Sequence, residues 1–211
     1  MSNDKALSWA YTEEFSVEDE QILQARMRSN ELGVTAVSPA TGAALQALAA
    51  STGAKAIAEI GTGTGVSGLW LLGAMGDDGV LTTIDVEPEL QREARKAFTA
   101  AGYNSARTRI IQGRASDVMP RMAARSYDVV VLDAEPDEAP ELVPGAIRML
   151  RVGGMLIVNR ALYNDHVADP ARRDPVTVAV RELGKELRDR EDLLTSLLPV
   201  GDGLLVSVRL A

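Results

Sequence analysis

A chain of 211 residues, 46% apolar and 25% charged, is long enough for one domain with a sizeable core and too short for two ordinary ones. Its net charge of −8 disfavours a nucleic-acid partner, and the absence of cysteine excludes disulfides, thiolate metal sites and a cysteine nucleophile. A single histidine, His166, rules out a multi-histidine metal site within one chain; with no leader pattern and no long apolar run, neither a signal peptide nor a membrane partner is expected, and a cytoplasmic location fits.

In chain order, residues 16–31 read as a helix with Ser16 as N-cap, Asp19 completing an acidic variant of the capping box, and Gly33 as the stop. A second helix is expected over Pro39–Ser51, with Ser38 as its cap. Together they form an N-terminal helical segment at about 1–51 of a single domain spanning 1–211. Strand and helix then alternate. Strands are expected at 56–60, 80–85, 109–112, 127–133 and 155–159, and helices at 66–75, 88–101, 116–124 and 141–150, the last stopped by Gly153-Gly154. The uninterrupted apolar run Val129-Val130-Val131-Leu132 suits a strand buried on both faces. The alternation predicts an α/β fold, a parallel sheet with helices on both faces. A polar insertion at 161–174 precedes a helix from Pro175. Two final strands, 193–200 and 204–210, flank the turn Gly201-Asp202-Gly203 and form a hairpin, so the sheet closes with an antiparallel pair.

The first strand runs into Glu59-Ile60-Gly61-Thr62-Gly63-Thr64-Gly65. Glycines there let the chain turn sharply and let a ligand approach the backbone, in front of a helix N-terminus. Asp85 ends the second strand, where a carboxylate can accept hydrogen bonds from two ribose hydroxyls. The pattern is ambiguous by itself, because Gly63-Thr64-Gly65-Val66-Ser67-Gly68 also spells the dinucleotide fingerprint, and a nicotinamide-dependent oxidoreductase stays open. Glu59 weighs against it: a carboxylate at that strand end suits a ligand amine and opposes a pyrophosphate. The closing hairpin and the two helices before the first strand weigh the same way.

Further segments carry a resemblance: AEIGTGTGVS at 58–67, TIDVEP at 83–88, YDVVVLDA at 127–134, RVGGMLIVN at 151–159 and LPVGDG at 198–203. Over roughly 34–211 the chain resembles the class I S-adenosylmethionine-dependent methyltransferases, more narrowly the caffeoyl-CoA and catechol O-methyltransferase-like family (O-methyltransferase family 3). The resemblance implies a Rossmann-like seven-stranded mixed sheet of order 3-2-1-4-5-7-6, a homodimer, S-adenosylmethionine as cofactor and a small hydroxylated acceptor. It places Glu59 and Ser67 at the methionine end of the cofactor, Gly61 and Gly65 in the loop, and Asp85 on the ribose. Ala115, with Arg114, would border the adenine, the backbone of Val37 would meet the cofactor carboxylate, and Asp133 would lie beside the sulfonium and the acceptor.

Family members commonly bind a divalent metal through an Asp after the fourth strand and an Asp-Asn pair after the fifth. Here Asp133 is present and the pair reads Asn159-Arg160. A hard divalent ion needs carboxylate oxygens. A guanidinium at contact range repels such an ion by several kcal/mol at intermediate dielectric and cannot shed its proton. No catalytic metal is therefore expected, although Glu135 or Asp137 could in principle rebuild a site with Asp133. Arg160 could replace the metal's charge and hold a substrate carboxylate or phenolate; the alternative is an Asp133–Arg160 salt bridge plugging the old site. His166 is a candidate catalytic group because its unperturbed pKa lies near neutrality, and Tyr163 a candidate substrate wall. Trp9, Tyr11 and Phe15 would anchor the N-terminus, cover the pocket or meet a dimer mate. The vacated metal pair also leaves a non-catalytic cofactor-binding protein as an alternative.

Overall fold

The computed structural model describes residues 3–211, with side chains from residue 5; residues 1 and 2 of the expected N-terminal segment lie outside the described residues. Its first element was not expected. Helix α1 spans Asn3–Phe15 and α2 spans Glu20–Glu31, so the helix expected over 16–31 begins four residues late. Asp19, not Ser16, is the N-cap: its extended backbone lets Oδ1 accept from the Ile22 N–H at 2.9 Å. Asp19→Ala removes that acceptor and is expected to cost about 1 kcal/mol, lowering Tm by about 2–4 °C in a chain of this size. A melting curve matching that of the unmodified protein would show that the cap contributes nothing.

Helix α1 has no apolar stripe strong enough to announce it. Tertiary contacts hold it instead. Its Glu13 carboxylate accepts from Ser38 Oγ (2.9 Å) and from the Ala40 N–H (3.0 Å) at the start of α3, Pro39–Ser51, and Trp9 Nε1 donates to the Pro199 carbonyl.

Strands β1 (Ala56–Ile60), β2 (Val80–Asp85), β3 (Thr108–Gln112), β4 (Tyr127–Leu132) and β5 (Leu150–Val158) are parallel. The final strands β6 (Leu193–Leu198) and β7 (Leu204–Arg209) form the hairpin, and β7 pairs antiparallel to β5. The observed order is β3-β2-β1-β4-β5-β7-β6, as the resemblance implied. Helices α4 (Val66–Gly73), α5 (Pro88–Ala100), α6 (Ala115–Val118), α7 (Ala139–Met149) and α8 (Pro175–Asp189) complete the chain. The helix expected over 116–124 is the short α6 followed by a 3-10 turn, Met119–Arg121, because Pro120 cannot donate to a continuing helix.

The central strands feed two cores by simple alternation. Ile57, Val129, Val131 and Ile157 join α2, α3, α4 and α5 on one face. Ala58, Ile60, Val130, Leu132 and Leu156 join α7, α8 and the 119–122 turn on the other. Each fully buried Leu or Ile contributes roughly 1.5–3 kcal/mol, enough to fix a register in which a one-residue slip would exchange the two cores.

One boundary differs for a physical reason. Gly153-Gly154 do not stop a helix; they lie inside β5, beside a register shift between Tyr127 and Val129. Gly153 has φ +76°, and a Cβ on Gly154 would come within 3.0 Å of the Arg151 and Tyr127 carbonyl oxygens. The glycines make a bulge. Among the described residues no helix is long and apolar enough to cross a membrane.

Candidate active site

All five parallel strands end on one edge, so Gly61, Gly113, Asp133 and Asn159 follow strands β1, β3, β4 and β5 along it, and Asp85 is the last residue of β2. A cleft of about 910 Å³ opens there. Its walls are the Gly33–Val37 stretch between α2 and α3, the glycine loop, residues 85–87, residues 113–116, residues 133–135, and Arg160.

The glycine loop is shaped by backbone that other residues adopt at a cost. Gly61, Gly63 and Gly65 have φ of +98°, +51° and +93°. A Cβ on Gly61 would lie 2.3 Å from the Asp133 carbonyl oxygen, and one on Gly65 would press on Ala94 and Phe98 of α5. At Gly63 a Cβ would meet nothing, because that glycine faces the cleft. Asp85 is held from two sides: the Gly63 N–H donates to Oδ2 at 3.0 Å and the Glu87 N–H to Oδ1 at 2.9 Å. Its remaining lone pairs are aimed while the carboxylate itself cannot swing.

Glu59 is completely buried one layer beneath the cleft wall. Thr83 donates to its Oε2 at 2.7 Å, and Thr62, 2.8 Å from Thr83, must then donate to Thr83. Oε1 is buried without a hydrogen-bond partner. Burial pushes the carboxyl up to about 8; the Ser67 and Thr83 hydroxyls pull it back, and the charges of Asp133 and Asp85 push it further. Ser67 lines the cleft, so this unsatisfied carboxyl sits behind a hydroxyl that faces the ligand space. An orphaned acceptor at such a place has what an ammonium group needs.

At the far end, Asn159 Nδ2 donates to Asp133 Oδ1 at 2.8 Å. Burial raises the Asp133 carboxyl to about 6, against the Asn159 hydrogen bond and the nearby Arg160 charge. The Arg160 guanidinium does not pair with Asp133. It donates to the Ala134 carbonyl at 2.6 Å and reaches Glu135 at 3.4 Å, so of the two roles open to Arg160 the Asp133–Arg160 salt bridge is not formed, and an Arg160–Glu135 pair stands at the cleft wall. Arg160 itself has φ +58°, a conformation costing on the order of 1–3 kcal/mol outside glycine. Among the described residues, no three His, Asp or Glu side chains group as metal ligands would.

Val37, Gly61, Ser67, Asp85, Ala115, Asp133 and Arg160 all line the cleft, while Glu59 and Gly65 stand directly behind it. His166 and Tyr163 are not brought there. Tyr163, Asn164 and Asp165 are left-handed and turn the chain away, so the His166 ring lies edge-on against Tyr163 at 5.1 Å with its Nδ1 buried and unpaired. Trp9 anchors α1, and Tyr11 and Phe15 are exposed; none of the three meets the cleft. The roles of Thr62 and Thr83 were missed, and Glu135 was considered only as a metal ligand, not as the partner of Arg160. For Thr83 a signal existed: a polar residue in a buried strand, two before Asp85 and in register with Glu59.

Residues 13–210 match the O-methyltransferase family profile. The chain is 49% identical over 201 residues to "Probable O-methyltransferase Rv1220c" of Mycobacterium tuberculosis, covering 95% of this chain and 90% of that protein. Among solved structures it is similar to a Corynebacterium glutamicum protein (TM-score 0.91, 34% identity, 99% and 98% of the two chains). It is also similar to the O-methyltransferase TomG of Streptomyces achromogenes, solved with S-adenosylmethionine (TM-score 0.87, 27% identity, all of both chains). These matches set aside the nicotinamide and non-catalytic readings that the glycine loop and the lost metal pair had left open. The chain belongs to the caffeoyl-CoA O-methyltransferase-like family and is an S-adenosylmethionine-dependent O-methyltransferase.

Proposed function

We propose that this enzyme methylates a hydroxyl oxygen of a small molecule without a catalytic metal, and that Arg160 supplies the positive charge at the acceptor. The observation that carries this reading is the Arg160 guanidinium, fixed on the Ala134 carbonyl at the cleft wall next to Asp133. A cation there leaves no place for a divalent ion, and Asn159 spends its amide N–H on Asp133.

The cofactor contacts follow the same geometry. Glu59 and Ser67 take the methionine amine, the Val37 backbone its carboxylate, Asp85 the ribose hydroxyls, and Ala115 with Arg114 the adenine. The orphaned Oε1 of Glu59 and the pre-aimed Asp85 support that fit. Bound S-adenosylmethionine supplies an electrophilic methyl group on its sulfonium. The protein's own work is to align the acceptor oxygen, exclude water and remove a proton. Asp133 Oδ2 is free of Asn159 and, with its pKa near 6, is suited to take that proton at neutral pH. Arg160 favours the ionised acceptor oxygen. A homodimer belongs to this reading. Leu7, Tyr11 and Phe15, spaced by four on α1 and largely exposed, support it.

The test is turnover of a phenol, catechol and carboxylate panel in EDTA and in added Mg²⁺. Equal rates are expected. A loss of about tenfold or more in EDTA, recovered with Mg²⁺, would mean that at least 1.4 kcal/mol of transition-state stabilisation comes from a metal, and the reading would fall.

A further inference from the structure

Arg160 occupies its place in the cleft by way of a strained segment. Four of the six residues 160–165 are left-handed: Arg160, Tyr163, Asn164 and Asp165, with φ of +58°, +49°, +52° and +63°. Asparagine and aspartate tolerate that region; arginine and tyrosine do not adopt it without outside support. The support comes from the other end of the chain, the Gly201-Asp202-Gly203 turn between β6 and β7.

Three hydrogen bonds join the two segments. The Ala161 N–H donates to the Gly203 carbonyl at 3.0 Å, the Leu162 N–H to the Asp202 carbonyl at 2.8 Å, and the Asn164 N–H to Asp202 Oδ1 at 2.7 Å. Gly203 has φ +85°, and a Cβ there would lie 2.6 Å from Leu162 Cγ and 2.9 Å from Leu162 N, so the two backbones touch because no side chain intervenes. Burial pushes the Asp202 carboxyl above its ordinary range; the Asn164 N–H pulls it back, the Asp165 charge pushes it further, and Arg160 lies close enough to oppose that push. From His166 onward the insertion is held from a different direction: Arg181 of α8 donates to the His166, Val167 and Asp169 carbonyls. The stretch leaving Arg160 therefore depends on the turn alone for its side-chain hydrogen bond.

We propose that Asp202 is a positioning residue for Arg160: by capping the Asn164 N–H it holds residues 160–165 in their left-handed path, and so fixes where the guanidinium stands in the cleft. Asp202 itself does not line the cleft. It sets acceptor use and leaves cofactor binding untouched, because the glycine loop, Asp85 and Ala115 lie on other loops. The consequence for acceptor use rests on the reading that Arg160 faces the acceptor.

The experiment reads Arg160 directly. Its side-chain N–H signal in an ¹⁵N spectrum is assigned through Arg160→Lys, and its order parameter is measured in the unmodified protein, in Asp202→Ala and in Asp202→Asn, each titrated with S-adenosylhomocysteine. Asp202→Asn keeps the acceptor oxygen and is expected to keep the Arg160 signal in the rigid range near about 0.85, whereas Asp202→Ala drops it below about 0.6. The Kd for S-adenosylhomocysteine stays within about twofold throughout, a change under 0.5 kcal/mol. An unchanged Arg160 signal in Asp202→Ala, or equal loss in both variants, overturns the proposal. Should Asp202→Ala not fold, hydrogen exchange in the unmodified protein decides: an Asn164 amide exchanging as fast as a free loop amide overturns it, and protection supports it. In acceptor kinetics, Arg160→Ala and the double variant with Asp202→Ala should behave alike. If Arg160→Ala leaves methylation unchanged while the spectra behave as expected, the reading of Arg160 fails and the positioning role stands.

Discussion

Glu59→Gln should bind S-adenosylhomocysteine at least about tenfold more weakly, a loss of 1.4 kcal/mol or more, while the unliganded protein becomes more stable at pH 8. The two effects have one cause. Glu59 is fully buried, with one oxygen held by Thr83 and the other unpaired. A group so placed is costly as an anion until a cation arrives. The amide keeps a carbonyl for Thr83 but offers an ammonium group no charge. A variant that loses affinity because it is damaged would also lose stability; this one gains it.

The direction in pH follows from the raised pKa. The folded carboxyl titrates at about 8 and the unfolded one at the ordinary 4.5, so between those values the folded state holds a proton that the unfolded chain has released. Stability from this residue is complete below pH 4.5 and falls as the pH rises towards 8, by up to about 1.4 kcal/mol per unit. Denaturant unfolding at pH 7, 7.5 and 8, above the range in which Asp133 titrates, should show this slope in the unmodified protein and its absence in Glu59→Gln. Binding a cationic amine then ionises Glu59, so complex formation at pH 7 should release close to one proton. Titration calorimetry in two buffers of different ionisation enthalpy reads that number directly. Equal observed heats in both buffers would mean that no proton is released, so that Glu59 is already ionised or the amine binds elsewhere.

What could be read in the sequence, and what could not, divides by the range of the interactions. Local periodicity was sufficient for the central strands, because Val129 to Leu132 must feed two cores, and for Asp85, because it ends a strand beside a glycine loop, but not for the start of β5, where two glycines form a bulge. The fold order followed once the ordered motifs were matched. The misplaced features depend on contacts between residues far apart in the chain. Helix α1 is stabilised by Glu13 capping α3 and by Trp9 on Pro199, 190 residues away. The Asp133 salt bridge that was one of two roles open to Arg160 gives way to Glu135 and the Ala134 carbonyl, on a residue whose backbone is left-handed. His166 drew notice through its chemistry alone; the backbone that carries it past the cleft is set by the hairpin turn some 36 residues later.

A large loss of stability is expected at Gly61, where glycine answers two separate demands. Left-handed backbone costs an alanine about 1–2 kcal/mol. The added Cβ would also lie 2.3 Å from the Asp133 carbonyl oxygen and 2.9 Å from its carbon. Neither atom can retreat freely, since the Asp133 N–H donates to the Ile60 carbonyl at 2.8 Å and the Gly61 N–H to the Ile84 carbonyl at 2.9 Å, lacing the ends of β1, β2 and β4 together. Overpacking of this kind costs roughly 1–3 kcal/mol more. Gly61→Ala should thus lose about 2–5 kcal/mol in all, and Tm should fall by roughly 4–20 °C. Gly63→Ala provides the contrast. Its Cβ meets nothing in the protein and points into the cleft, so stability should fall by only about 1 kcal/mol while S-adenosylhomocysteine binds at least about tenfold more weakly. If the two variants melt together, the close approach at Gly61 does not bear on folding. If Gly63→Ala binds as well as the unmodified protein, the ligand does not lie against the loop. The contrast therefore separates the part of the glycine loop that closes the sheet from the part that receives the cofactor.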